Sequence, residues 1–594
     1  MQATMSRFLA HVHYHPGADS IKLQFPFQGV DRQLVRQVDE ELSRVLVRIE
    51  RIANPPMKRR DVKAAAKQQQ PKATAKAVLK ASAVIQFKTA ANEVLPPTQS
   101  VRDAFLSATH FEINEDTYRI VHNQPRVKTI TVVDTLFVGV PIVPTVDLDF
   151  ATIDTCSWAW HRGDILLSSD FIYTPTVADT GHALTLTCTP PLSEDIASVP
   201  SADPVVLETP LIRATPDRSV FAPRQALGSQ RVPDEVGCRI MTYNILCDKY
   251  ARADREVNRM YPFAAPGILQ EAYRMPLVVL EVLENGADLI FFQEMGEAIC
   301  KSYFEPLFSH LGFHGQYAGK GGSTPEGCAI FARSSKFDLV DGTLVKFASC
   351  LDEMIKTDEA LAAFLDHHPQ VAASTKAVPS IVQLVTLRAK HNDSMVLAVN
   401  SHMFYRHDAN IVRLIQAVLL AKIVEKRKAE LEAEFQLPVR LVLGGDLNAR
   451  PVTSSIVYLL QGYVDASHKD WIEAPSFQWG DDETYGLKKA ASELPEMPTQ
   501  LSHSLKWESP IQFPFTTYLR NHEFAFQDTL DYILIDPTQW KVLQTFPGFT
   551  HEEVDHEKSL PSSTFPSDHI SLVCDVAFVN STDKPPLATV YNQV

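Results

Sequence analysis

Six short apolar runs between residues 239 and 576 each carry a polar residue at one end, and a fold that buries the runs must leave those ends at its rim. The runs are Arg239 to Leu246, Asp288 to Glu294, Met395 to His402, Arg440 to Asp446, Asp531 to Ile535 and Ile570 to Val576. Continuous apolar stretches of this length, bounded by turn signals, read as strands covered on both faces. The sharpest is Arg440-Leu-Val-Leu-Gly-Gly-Asp-Leu-Asn-Ala-Arg-Pro451. Gly444 and Gly445 permit a backbone approach that a bulkier residue would block, and Asp446 and Asn448 are then set down at the strand end.

Asp and Asn after a single strand ordinarily form a turn. Here the pattern repeats. Asn244, Glu294, His402 and Asp446 with Asn448 follow their runs, whereas Asp531 opens its run and Asp568 with His569 precedes the last. Antiparallel neighbours would bring all these ends to one rim.

The residue types define a chemistry. Glu294, with Asp568, supplies hard carboxylate oxygens of the sort Mg2+ takes, Mn2+ being the second choice. The other reading of Glu294 is a helix N-cap acid. His569, with Asp531 on another strand, gives an imidazole oriented by a carboxylate. Asp446 can hold or deprotonate a water, while Asn244, Asn448 and His402 donate hydrogen bonds to phosphoryl oxygens. No serine, cysteine or threonine stands in a comparable context, so direct attack by water on a phosphodiester is the simpler route.

A chain of 594 residues exceeds one ordinary core. Its organisation reads as an N-terminal α+β segment at 1–56, a Lys- and Ala-rich linker at 57–83, a β-rich immunoglobulin-like domain at 84–225, a catalytic domain at 234–580 and a tail at 581–594. In the first segment Leu34, Val35, Val38, Leu42, Val45, Leu46 and Ile49 recur near helical spacing and predict one amphipathic helix. His11, His13 and His15 are expected at the surface. In the β-rich part Trp158 or Trp160 is the expected central aromatic, with Cys156 and Cys188 as thiols. Irregular stretches at about 343–380 and 465–512 have the character of substrate-facing insertions or of plain excursions.

A net charge of -15 argues against a broad basic surface that coats nucleic acid, and the lysines of the linker are expected to be solvated. No apolar run is long enough to span a bilayer, so no membrane partner is expected. The eight cysteines show no C-x-x-C spacing, and the first residues show neither a secretory core nor an Arg-rich presequence. The expected location is the cytoplasm, with mitochondria as the alternative.

Tyr243-Asn244-Ile-Leu, Gln293-Glu294, Asn400-Ser-His402, Gly445-Asp446-Leu-Asn448, Leu530-Asp531-Tyr-Ile and Pro566-Ser-Asp-His569 together resemble the ordered motifs of the endonuclease/exonuclease/phosphatase superfamily. Arg413-Leu-Ile-Gln416 and the Asp531-Tyr532 context resemble its Ccr4-type branch. Tyr261-Pro-Phe-Ala-Ala-Pro266, His551-Glu-Glu-Val554 and Tyr173 to Gly181 resemble the 2',5'-phosphodiesterases within it. The resemblance implies a four-layer α/β sandwich of the DNase I-like type and Mg2+-dependent hydrolysis from the 3' end of short oligoadenylates, 2',5'- and 3',5'-linked alike. The partner it implies is an oligoadenylate or RNA 3' end. Phe526 takes the place of a base-stacking Phe and His407 that of the opposite wall, usually Pro; Asp528 stands where Gly is usual. Arg413 is expected at the substrate. The competing readings are a 3',5' poly(A) deadenylase without 2',5' activity, an inositol-phosphate phosphatase or abasic-site endonuclease on the same fold, and an inactive RNA-binding adaptor. The adaptor should have lost Glu294, Asp446 or His569, and all are present.

Overall fold

The computed structural model describes residues 8–54, 83–192, 203–251, 260–465, 467–477 and 501–579. The expected 57–83 linker up to its last residue, the middle of the 465–512 insertion and the tail expected at 581–594 lie outside the described residues. The chain divides into a unit built from residues 1–131, 146–171 and 185–209 and a unit built from 132–145, 172–184 and 210–594.

In the first unit, β1 (Phe8–His13), β2 (Ser20–Phe27), β3 (Val30–Gln37), α1 (Leu42–Ala53), β4 (Ile85–Lys88), α2 (Val101–Ser107), β5 (His110–Ile113) and β6 (Asp116–His122) follow in order. The strands form one sheet in the order β3-β2-β1-β6-β5-β4, with β1 parallel to β6. Ile21, Leu23, Phe25 and Phe27 alternate into the core, where Leu42, Val45 and Ile49 of α1 meet them. The apolar run from Leu34 to Ile49 is therefore two elements and not one helix. Gln28 and Gly29 both have positive φ, the two-residue turn that closes a hairpin, so Leu34 and Val35 pair with Leu23 and Lys22 as strand residues.

The boundary expected at 84 falls inside this sheet, because β4, β5 and β6 complete what β1 to β3 begin. The β-rich part holds a separate antiparallel sheet, β8-β7-β9-β10, from β7 (Ser157–Arg162), β8 (Ile165–Ser168), β9 (Thr185–Thr189) and β10 (Val205–Glu208). Trp160 is fully buried in it and donates to the Asp170 carbonyl at 3.1 Å. Cys156 and Cys188 are free thiols. The Tyr173 to Gly181 stretch, expected in the β-rich domain, belongs to the second unit. His13 also departs from expectation: Ala10 and Val12 of β1 turn into the core, and His13, on the other face of the sheet, is buried there against Phe150.

The second unit contains two sheets. One runs β13-β14-β12-β11-β23-β22, from β11 (Gly237–Asn244), β12 (Leu289–Gly296), β13 (Phe313–Gly319), β14 (Glu326–Arg333), β22 (Trp540–Thr545) and β23 (Leu572–Phe578). The other runs β15-β16-β17-β18-β21, from β15 (Phe337–Lys346), β16 (Ile381–Ala389), β17 (Ser394–His402), β18 (Val439–Asp446) and β21 (Asp531–Ile535). Ile240, Leu289 and Phe291 of the first pack with Val396, Val442 and Ile533 of the second in one core. At Gly444 a Cβ would lie 2.6 Å from the Phe291 ring, so the sheets can close here only on glycine.

Helices cover the outer faces. Phe304 and Phe308 pack against Phe292 and Phe331, and α3 (Asn410–Phe435) lays Ile411, Leu414, Ile415 and Val418 on the second sheet. This is the expected four-layer α/β sandwich. Among the described residues no helix is long and apolar enough to cross a membrane.

Candidate active site

Strand register assembles the rim. His402 pairs with Asp446 across parallel β17 and β18, and Asp446 pairs with Asp531 across antiparallel β21. Asn244 ends β11 beside Gln293 of β12. The two sheets are tied just inside the rim, where Gln293 Nε2 donates to Asn400 Oδ1 at 2.8 Å and Asn400 Nδ2 donates to the Phe292 carbonyl at 2.9 Å. These two motif residues hold the sheets together rather than face a substrate.

Glu294 sits where the β12 to β14 register slips, and its φ is 57°. A left-handed non-glycine residue costs roughly 1–2 kcal/mol, and here the bulge turns the carboxylate out of strand alternation toward Asn244. Asn244 Nδ2 donates to Glu294 Oε1 at 3.1 Å and to Asp446 Oδ2 at 3.0 Å. Both amide hydrogens are thus used in spacing two carboxylates, and not on a phosphoryl group as the sequence suggested. The Cys247 amide donates to Glu294 Oε2 at 2.8 Å. Burial and the Asp568 charge raise the Glu294 carboxyl above its ordinary value. Asp568 is half-buried and accepts from the Tyr261 hydroxyl at 2.8 Å.

Asp446 is buried. Its Oδ1 accepts from the Asn448 amide at 2.9 Å, with Asn448 held at φ 50° and its side-chain amide donating to the Met403 carbonyl. Burial, with Asp531 adding to it, pushes Asp446 up to about 6. Asp531 Oδ2 accepts from His569 Nδ1 at 2.8 Å and from Thr516 Oγ1 at 2.6 Å. Burial alone would lower His569, but Asp531, Asp446 and Asp568 outweigh it and raise the imidazole well above its usual value. His569 Nε2 stands 3.8 Å from Asp446 Oδ2.

His402 has the opposite state. Burial and the Lys320 ammonium hold it well below the usual value, hence neutral. Lys320 Nζ, which has only hydrogens to offer, lies 2.9 Å from His402 Nδ1. The ring hydrogen is therefore on Nε2, which faces Asp446 Oδ2 at 3.6 Å. One histidine is charged and the other neutral, and both present an N–H at the same carboxylate.

Lys320 and Glu326 carried no signal in the sequence, since they flank a loop and follow no motif. Lys320 Nζ donates to Glu326 Oε1 at 2.6 Å, and both are buried. Burial pushes Glu326 up to about 7 against the pull of Lys320, with Glu294 adding to the rise. Between about 4.5 and about 7 the folded protein thus holds a proton that the unfolded chain has released. Stability falls as pH rises through that window and this contribution is level above it. Glu326→Gln removes the slope, so by scanning calorimetry the Tm of the variant relative to the parent is expected to rise from pH 5 to pH 7; a constant difference would contradict it.

Arg413 is corrected. It is buried, and it donates to the carbonyls of Phe404 at 2.8 Å, Arg406 at 2.6 Å and His407 at 3.4 Å. It shapes the loop after β17 from inside, and Gln416 accepts from the Phe404 amide in the same loop. His407 is exposed in that loop. Phe526 is half-buried on the short strand β20 (Ala525–Asp528), which pairs with β19 (Thr517–Arg520), and the Arg450 guanidinium lies 5.7 Å from its ring centroid. Asp528 gives its position a purpose: its Oδ2 pairs with Arg450 Nε at 2.6 Å and steadies the guanidinium over Phe526. A second residue the sequence did not flag is the buried Arg274, which donates to the carbonyls of Leu269, Ile245, Pro566 and Leu246 and pins the loops that carry the rim residues.

Ligand atoms of Asp446, Asp531 and His569 lie within 4.8 Å of one another, a buried group that could hold a metal ion. Asp531 Oδ1 is buried without a hydrogen-bond partner. Carboxylates, a charged and a neutral imidazole at the mouth of a two-sheet sandwich make the site of a hydrolase acting on phosphate esters. The chain belongs to the Endonuclease/Exonuclease/phosphatase family, whose model matches residues 241–569. It is similar to 2',5'-phosphodiesterase 12 of Rattus norvegicus, 28% identical over 503 residues, 80% of this chain and 77% of that relative. It is also similar to the CCR4-Not complex 3'-5'-exoribonuclease subunit Ccr4 of Mycosarcoma maydis, 26% identical over 385 residues, 60% of this chain and 52% of that relative. A solved structure of ANGEL2, a 2',3'-cyclic phosphatase, in complex with adenosine-2',3'-vanadate, matches with a TM-score of 0.44 and 19% identity over 58% of this chain and 96% of that one. The protein is an enzyme of this family, a hydrolase acting on phosphodiester bonds.

Proposed function

We propose that the enzyme is a Mg2+-dependent phosphodiesterase that shortens oligoadenylates from the 3' end, 2',5'- and 3',5'-linked alike. The observation that carries this reading is the extent of the similarity: 503 aligned residues to a 2',5'-phosphodiesterase reach well beyond the 241–569 family region, whereas the Ccr4 relative aligns over 385.

The donor set suits a hard divalent cation, Mg2+ first and Mn2+ second. Glu294 and Asp568 are half-buried carboxylates close enough for one to raise the other, a repulsion that a cation would relieve. They would hold it in preference to the Asp446, Asp531 and His569 group, where the imidazole is protonated and already donates to Asp531. When bound, the ion supplies a Lewis acid at the phosphoryl oxygen.

The chain's own residues supply the rest. Asp446 orients the water and takes its proton as the new P–O bond forms; its carboxyl, at about 6, is ionised at neutral pH and still a usable base. His569, fixed by Asp531, hydrogen-bonds a phosphoryl oxygen through Nε2–H and steadies its charge as the bridging P–O bond breaks, and the ribose oxygen leaves as a hydroxyl with a proton from solvent. His402 donates its own Nε2–H in the neutral form. The free cysteines suit a compartment that keeps thiols reduced, cytoplasm or mitochondrion alike.

Phe526 stacks on the terminal base. Stacking is worth roughly 1–3 kcal/mol per base, so Phe526→Ala is expected to raise KM for 2',5'-linked triadenylate about 5- to 150-fold with a smaller change in kcat. Chromatography of the products, on that substrate and on a 3',5'-linked oligoadenylate, tests the reading. AMP released from the 3' end of both supports it. Cleavage of the 3',5' strand alone would make the enzyme a poly(A) deadenylase, the reading the Ccr4 similarity favours.

A further inference from the structure

A groove of about 600 Å³ in the first unit lies between β3 and α1, and its charge is opposite to that of the chain as a whole. Arg36 enters from the strand, and Arg44, Arg48 and Arg51 line it from the helix. The helical arginines follow at intervals of four and three residues, so they share one face and rise about 6 Å and about 4.5 Å apart. All three are exposed, and among the described residues they have no carboxylate partner. Glu40 is the one acidic residue lining the groove, and it meets Arg36 only at 3.7 Å. Arg36 Nε and the neighbouring Arg32 Nε are buried without hydrogen-bond partners. Val47, exposed, lies on the same face of α1 between Arg44 and Arg51.

We infer that this groove is a binding site for the phosphodiester backbone of single-stranded RNA, separate from the active site. Guanidinium groups are planar donors that match phosphate oxygens two at a time and also lie flat on bases. A row of them on one helix face, spaced at several ångströms, can meet successive phosphates of a strand. Val47 between them gives a base face an apolar contact. A lipid surface fits less well: a membrane-lying helix offers bulky apolar residues outward, and here the apolar face of α1, Leu42, Val45 and Ile49, is buried in the unit's own core. The choice of RNA over other polyanions rests on the function proposed above.

The test uses the full chain in the presence of a chelator, so that nothing is turned over and binding is read whether or not the catalytic assignment holds. Binding of a fluorescent 20-nucleotide oligoadenylate is measured against salt for the parent, for Arg44→Gln/Arg48→Gln/Arg51→Gln and for the triple Lys variant. Three phosphate contacts on a single strand contribute about 2 to the slope of log affinity against log salt. The Gln variant is expected to lose that slope and at least about tenfold in affinity at low salt, and the Lys variant to keep most of both. Cleavage of triadenylate by the Gln variant, with metal restored, is expected to match the parent. Unchanged affinity and slope in the Gln variant would overturn the site. Tighter binding of the parent to phosphatidylserine vesicles than to the RNA, lost in the same variant, would overturn the choice of RNA.

Discussion

Asp446→Asn is expected to lower kcat about 10²- to 10⁴-fold, the range spanned by a positioned general base, while Tm moves by no more than a few degrees. The carboxylate is the point on which the rim converges: Asn244 Nδ2 and the Asn448 amide donate to it, and the N–H groups of His402 and His569 face it at 3.6 and 3.8 Å. An amide is close to the same shape, so the core beneath is undisturbed. It cannot take a proton from water, and its own hydrogens would meet donors. Burial already resists ionisation of Asp446, so removing the charge relieves a cost to the fold. Rates by initial-velocity assay with Tm by calorimetry separate the two effects; a fall in activity that merely follows a fall in Tm would remove Asp446 from the chemistry.

Asp531→Asn is expected to cost about 10³- to 10⁴-fold, the scale seen when the carboxylate that orients a catalytic imidazole is amidated. Asp531 does not face the water. It acts through His569 Nδ1 at 2.8 Å and is itself fixed by Thr516. Without its charge the burial of His569 is less opposed, and the imidazole loses its proton at a lower pH. Since the protonated ring is the donor, activity must then fail at a lower pH on the alkaline side. The alkaline limb of the kcat profile is expected to move down in the variant; an unmoved limb would mean that His569 does not work in its protonated form.

Much of this rim was legible because it lies at strand ends. An apolar run of fixed length buried on both faces has nowhere to place Asn244, Glu294, His402 or Asp446 except beyond the sheet, and β-sheet register does the rest. Residues that act through long-range contacts left no such trace. Lys320 reaches His402 across 82 residues of sequence, and Arg274 reaches the Pro566 carbonyl across 292. Arg413 was expected at the substrate from the resemblance of Arg413 to Gln416 to the Ccr4-type branch, whereas its terminal nitrogens are turned to backbone carbonyls of the loop it supports. The N-terminal boundary was hidden because β1 pairs in parallel with β6, so the sheet order cannot be read from neighbouring runs. Leu34 and Val35 fit helical spacing and strand alternation equally well, and only the Gln28-Gly29 turn decides between them.

The measurement that bears most directly on metal-assisted attack at this rim is hydrolysis of triadenylate by the parent and by Glu294→Ala as Mg2+ is raised. Glu294 is the half-buried carboxylate held by Asn244 and the Cys247 amide beside Asp568. The parent is expected to cleave in proportion to Mg2+ until the site saturates and to stop when a chelator is added, while the variant, folded to the same Tm, shows no metal-dependent turnover. Cleavage by the variant with the parent's Mg2+ dependence would contradict the account.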